Sequence, residues 1–256
     1  MWAEKIWLNI ETSSFCNLCC GHCSQHNFIL KDKKFISKSL FCKIIDELVE
    51  NKIKISNINP FFRGEPLFHP DFSFFMDYIK TKYMEFPFID FVSIHTNGVY
   101  LSEENANSIL SLSNQRVLPH PNNLFISIDA ADSETYKNVK GRDCYYKVID
   151  NIENFLIERQ KRDQIGPDIV FQFVVTEKNK HNVCDFALNI YNLTKKFSNK
   201  KLKFLSSLDN SPFRVESDTL YFRLCESNAE FADFYRDIYK ECLLELNKNS
   251  IIRDII

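Results

Sequence analysis

The sequence predicts an α/β protein built on a parallel sheet, and three observations carry that reading. Six short apolar runs recur along the 256 residues, and each is followed by a longer stretch whose apolar positions have helical spacing. Hydrophobic residues make up 45% and charged residues 26%, which suffices for a core and excludes a disordered or low-complexity chain. No internal repeat or Gly/Ser linker divides the chain. Strands alternating with helices imply parallel strands joined by right-handed crossovers. Six such units make either a doubly wound sheet or an incomplete barrel. The length suits one large domain, or one domain with a small appendage.

The predicted strands are 5–10, 55–62, 89–96, 124–129, 168–176 and 201–206, all rich in Ile, Val and Phe. After the first comes a cysteine-rich loop, then a helix over 37–51 with Leu40, Ile44, Ile45, Leu48 and Val49 on one face and Ser37 as N-cap. Helices follow over 72–83, 103–112, 145–162 and 183–197, with an amphipathic helix over 228–246. Residues 114–123 and 209–219 read as polar loops. Residues 1–208 form the barrel-like part, and 209–256 a C-terminal loop and helix that close it.

Lys and Arg total 32 against 34 Asp and Glu, a net charge of −2, so no nucleic-acid partner is expected. No stretch of about 18 apolar residues spans a membrane. The N-terminus carries Glu4, Lys5 and Glu11 and does not read as a signal peptide, so a cytoplasmic location is expected. In that compartment nine Cys point to metal binding rather than to a disulfide framework.

Cys16, Cys19, Cys20 and Cys23 fall within eight residues directly after the first strand. Cys16, Cys20 and Cys23 have the spacing CxxxCxxC, and three converging thiolates can hold three irons of a [4Fe–4S] cube, leaving the fourth iron open. Four Cys could instead hold Zn, although adjacent Cys19 and Cys20 would strain to reach one ion. Arg63-Gly64-Glu65-Pro66 follows the second strand, Thr96-Asn97-Gly98 ends the third, and Ser127-Ile128-Asp129 ends the fourth. Alternation puts Ser127 and Asp129 on one strand face, an inward polar pair that is costly unless it meets a ligand. Each of these motifs sits at a strand's C-terminal end, where parallel α/β barrels keep their active sites.

FCNLCCGHC (Phe15 to Cys23), RGEP, TNG and SID, taken in order, resemble the radical S-adenosylmethionine (radical SAM) superfamily. ETYKNVKGRDCYYKVIDNI (Glu134 to Ile152) resembles the ETYxxIRG…VxxNI run of its SPASM/Twitch branch, which includes peptide and protein maturases. The resemblance covers about 5–206 and implies a partial (β/α)6 TIM-like barrel. Cys16, Cys20 and Cys23 would hold a [4Fe–4S] cluster, with Cys19 a bystander. Gly64, Glu65, Pro66, Asn97, Ser127, Asp129, Arg142, Gln172 and Asn179 would bind S-adenosylmethionine, Glu65 its amino group and Arg142 its carboxylate.

The resemblance further implies that an electron donor such as flavodoxin or ferredoxin reduces the cluster. S-adenosylmethionine then splits to methionine and a 5′-deoxyadenosyl radical, which takes a hydrogen atom from the substrate. A peptide or protein substrate is expected. Oxidation, epimerisation or rearrangement of a sugar, aminocyclitol or nucleoside is the alternative, and a non-catalytic Zn or Fe–S module is the reading of another class. The pattern departs from the branch in one respect: only Cys225 and Cys242 follow the sixth predicted strand, whereas SPASM and Twitch members carry more Cys there for auxiliary clusters.

Overall fold

In the computed structural model, which describes residues 6–23, 33–113, 118, 122–162, 166–197, 202–206, 217–225, 232–250 and 252, strands and helices alternate. They run β1 (Trp7–Asn9), α1 (Lys38–Glu50), β2 (Ile55–Asn59), α2 (Phe72–Glu85), β3 (Ile89–Thr96), α3 (Glu103–Leu112), β4 (Asn123–Ser127), α4 (Ser133–Lys140), α5 (Tyr145–Lys161), β5 (Asp168–Val175), α6 (Val183–Lys195), β6 (Lys203–Ser206), β7 (Thr219–Leu224) and α7 (Ala232–Lys248). The strands form one parallel sheet in the order β1-β2-β3-β4-β5-β7-β6, a partial TIM-like barrel.

Two elements depart from the sequence expectation. The place beside β5 belongs to β7, and the expected sixth strand, β6, pairs outside it at the sheet edge. Burial explains the order. Thr219–Phe222 are buried, whereas β6 is largely half-exposed. The other departure is α4, a polar helix with too few apolar positions for a periodic signal, started by Asp132, whose side chain accepts from Thr135 N at 2.8 Å. β2 ends at Asn59 because Pro60 has no N–H for the ladder. The Ser37 cap forms as expected, accepting from Leu40 N. Lys5, Lys201, most of the 114–123 loop, 209–216 and 228–231 lie outside the described residues.

Alternation divides the strands between two environments. Leu124, Ile126, Ile169, Phe171, Phe173, Leu220 and Phe222 face the helices and belong to the main core. Phe125, Val170 and Tyr221 form a separate cluster on the lumen face.

A buried ion pair fixes β7. Arg159 on α5 donates to Asp218 Oδ1 at 2.7 Å and to Pro167 O at 2.9 Å, and Asp218 Oδ1 also accepts from Ile169 N at 3.0 Å. Breaking such a pair from one side leaves a buried charge uncompensated. Asp218→Ala should therefore cost about 3–5 kcal/mol in urea unfolding, with part recovered by adding Arg159→Met. A loss below about 1 kcal/mol, the size of a surface pair, would mean that β7 holds its place without this contact.

Candidate functional site

A cavity of about 500 Å³ opens at the C-terminal ends of the strands. Cys16, Cys20 and Cys23 line it, and Cys19 does not. The cysteine loop is clamped on both sides. On one side Glu65 N donates to Phe15 O at 2.7 Å. A Cβ on Gly64 would lie 2.1 Å from Ser13 O and 2.6 Å from Phe15 O. Gly64 thus serves close approach to the chain that enters the cysteine loop. On the other side Cys19 N donates to Lys140 O and Gly21 N to Val139 O, both at 3.0 Å. There Gly141 ends α4 in the left-handed conformation (φ 75°), and a Cβ on it would lie 2.7 Å from Cys19 O. Cys19 contributes its backbone while remaining exposed.

Glu65 and Asn97 close the gap between the clamps. Glu65 is buried and accepts from Thr96 Oγ1 at 2.6 Å, Asn97 N at 2.8 Å and Leu67 N at 3.1 Å. Burial pushes its carboxyl up to about 7, against the pull of these hydrogen bonds. Asn97 Nδ2 donates to Asn17 Oδ1 at 2.9 Å, within the loop, and its Oδ1 accepts from Val99 N.

The expected inward pair is divided: β4 ends at Ser127, which lines the cavity, whereas Asp129 lies past the strand end and behind the ammonium of Lys140, a protein group that meets both. Lys140 is 2% exposed, pairs with Asp129 and donates to Ser127 Oγ at 2.9 Å. Asp129 has φ 62° and is wholly buried. It accepts from Ser127 Oγ at 2.9 Å and Val174 N at 2.7 Å, and it lies 3.5 Å from His22 Nε2. Burial alone would raise the Asp129 carboxyl, yet Lys140 and His22 outweigh it and hold it below its ordinary range. Sequence reasoning missed Lys140. The signal was present, because Lys140-Gly141 stands where the ETYxxIRG run has Arg-Gly.

Of the residues expected at S-adenosylmethionine, Gly64, Glu65, Asn97, Ser127 and Gln172 line the cavity. Pro66, Asp129, Arg142 and Asn179 do not. Pro66 is buried and opens a short 3-10 turn, and Asp129 lies behind Lys140. Arg142 is exposed. Asn179 is buried among backbone partners, donating to Asp129 O and Val174 O at 2.9 Å. Phe61, Phe62, His95, Phe125, Arg223 and Cys225 also line the cavity, all unforeseen.

Cys20 is the most strongly desolvated of these thiols. Burial raises Cys16 above its ordinary value and Cys20 to about 11, with Lys140 pulling both down. That is opposite to a nucleophilic cysteine, whose pKa is lowered, and it suits ligands that a metal deprotonates. Among the described residues no three His, Cys, Asp or Glu side chains meet as a site for a single ion. Three thiols serving three irons have no such requirement.

Residues 10–165 match the sequence pattern of the Radical SAM superfamily. The chain belongs to that superfamily. Its cofactors are a [4Fe–4S] cluster and S-adenosylmethionine, and three cavity-lining thiols beside a polar wall fit both. This radical SAM chain is similar to the mycofactocin maturase MftC of Mycolicibacterium smegmatis, 27% identical over 183 residues that cover 71% of the chain and 41% of that protein. It is likewise similar to MftC of Mycobacterium ulcerans, 28% identical over 182 residues, 71% of the chain and 43% of that protein. The match spans less than half the length of either relative. A solved structure of anSMEcpe with bound AdoMet and the Cp18Cys peptide superposes at a TM-score of 0.51 with 18% identity, covering 86% of this chain and 50% of that one, a likeness of fold.

Lys140→Met should lower unfolding stability by about 3–5 kcal/mol by stranding Asp129, and adding Asp129→Asn should restore part of it. Glu65 gives a pH signature. Its folded pKa of about 7 exceeds its ordinary 4.5, so its contribution to stability is full below pH 4.5 and declines as pH rises to about 7. Urea midpoints across that window should fall with pH for the native chain and lose this part of the slope in Glu65→Gln.

Proposed function

We propose that the chain modifies a peptide or protein substrate by radical S-adenosylmethionine chemistry. The observation that carries the reading is the three thiols Cys16, Cys20 and Cys23 held at one end of the cavity between two clamps. The maturase relatives and the peptide-bound likeness in fold favour a peptide over a small molecule. Bound together, the cluster and S-adenosylmethionine supply a 5′-deoxyadenosyl radical able to take a hydrogen atom from a substrate C–H bond.

The chain's own residues bind, orient and exclude water. Cys16, Cys20 and Cys23 would hold three irons. Glu65, Asn97 and Ser127 line the cavity at adjacent strand ends, where they would face the cofactor, with Glu65 the acceptor for its ammonium. Lys140, which lines the cavity where the exposed Arg142 does not, is a cation available to its carboxylate. Two of its three N–H donors serve Ser127 and Asp129, and one remains. Leu18, Phe61, Phe62 and Phe125 supply apolar wall against water. Radical SAM enzymes need a reductant, and a flavodoxin or ferredoxin is the proposed donor. No helix among the described residues is long and apolar enough to cross a membrane.

Anaerobic reconstitution, iron and sulfide analysis, and measurement of 5′-deoxyadenosine with dithionite test the reading. About four irons per chain and 5′-deoxyadenosine are expected. Cys16→Ala, Cys20→Ala and Cys23→Ala should each lose the cluster, and Cys19→Ala should keep it. Zinc in place of iron, or no 5′-deoxyadenosine, would sink the proposal.

A further inference from the structure

One wall of the cavity holds polar groups that the protein leaves without partners. Glu65, Asn97, Ser127 and Lys140 are all engaged with protein atoms. His95 on β3 and Gln172 on β5 also line the cavity, yet among the described residues neither side chain makes a hydrogen bond to protein. His95 is held rigidly. Its ring stacks between Phe61 (centroids 5.0 Å apart, planes at 15°) and Phe125 (4.1 Å, 5°). The stack occupies the ring faces and leaves the nitrogen-bearing edge for hydrogen bonding. Burial, with the Arg223 charge nearby, pushes His95 down to about 4, so at neutral pH it offers one donor and one acceptor. The Gln172 carboxamide is likewise neutral and offers both.

We infer that His95 and Gln172 are substrate-contact residues that hold backbone peptide groups of an extended peptide lying along the cavity. The inference rests on the radical reading above and moves Gln172, expected from the sequence at the cofactor, to the substrate. A peptide group carries one N–H and one C=O and no charge, which matches both side chains. The spacing agrees. His95 lies beside Phe125 and Gln172 beside Ser127, so Gln172 stands two residues further along the barrel wall. With β4 between them, the two residues are also two strand spacings apart, so about 6.6 Å along and about 9.5 Å across place them roughly 12 Å from each other, a span that three to four residues of an extended chain cover.

The test uses reconstituted enzyme with S-adenosylmethionine and dithionite, and two probes. One is a uniformly deuterated peptide pool from an algal protein digest, and the other is uniformly deuterated glucose. Mass spectrometry reads the fraction of 5′-deoxyadenosine that carries deuterium. Transfer from the peptide pool is expected, and His95→Phe, which keeps the ring stack, and Gln172→Leu should each lower that fraction about tenfold, near the upper value of one lost hydrogen bond. Iron content, read separately, should match the native chain. Deuterium from glucose alone, from neither probe, or from peptides equally in the variants would overturn the inference. So would loss of iron or of S-adenosylmethionine binding in either variant, since the residues would then serve the cofactor. If the native chain forms no 5′-deoxyadenosine at all, the radical reading fails first and this falls with it.

Discussion

Asp129 is where the cysteine loop, two strands and a helix are tied together. Its carboxylate is wholly buried and meets Lys140 from α4, Ser127 from β4, Val174 N from β5 and His22 from the loop itself. A buried carboxylate with fewer partners would take up a proton or disrupt the packing around it. With these partners it stays ionised and keeps Lys140 charged at the cavity wall. The Lys140 carbonyl in turn receives Cys19 N, so one residue joins the ion pair to the backbone of the loop. The three thiols are presented together because the loop is docked onto a helix end on one side and onto Gly64 on the other.

Periodic elements were legible because their burial pattern is local. β3 and α3 fall where apolar spacing puts them, and Ser37 caps α1 as its residue type suggests. α4 was not legible because Tyr136 and Val139 are too few apolar positions to show a period. The six-strand reading passed over TLYFRL because a polar loop precedes it. Within the site, the cysteines and the turns after β2, β3 and β4 announced themselves through residue type and spacing. The Lys140–Asp129 pair did not, because a buried ion pair depends on which chain segments meet in space. His95 was hidden for another reason. In IDFVSIHT it reads as one polar position in a buried strand, and only closure of the barrel turns that face into a cavity wall.

The desolvation of Cys20 bears on how the site is loaded. A thiol held near 11, as Cys20 is, is a poor nucleophile and gives up its proton to bound iron. Cluster assembly therefore releases protons in a space already lined by Lys140 and Glu65, and the affinity of the loop for iron is tied to pH. Glu65, poised near 7, is the neighbouring group best placed to change its own charge as that happens.

The exchange of β6 and β7 in the sheet has a consequence for the newly made chain. Residues leave the ribosome in order, so β6 emerges before the strand that separates it from β5. Among the described residues its final neighbour in the sheet is β7 alone, so β6 has no settled partner until β7 has arrived, and β7 in turn is pinned by Asp218 to Arg159, made some sixty residues earlier. The barrel wall can therefore be completed only after β7 has been made, and the interval before that leaves the edge of β5 open to pairing with other chains.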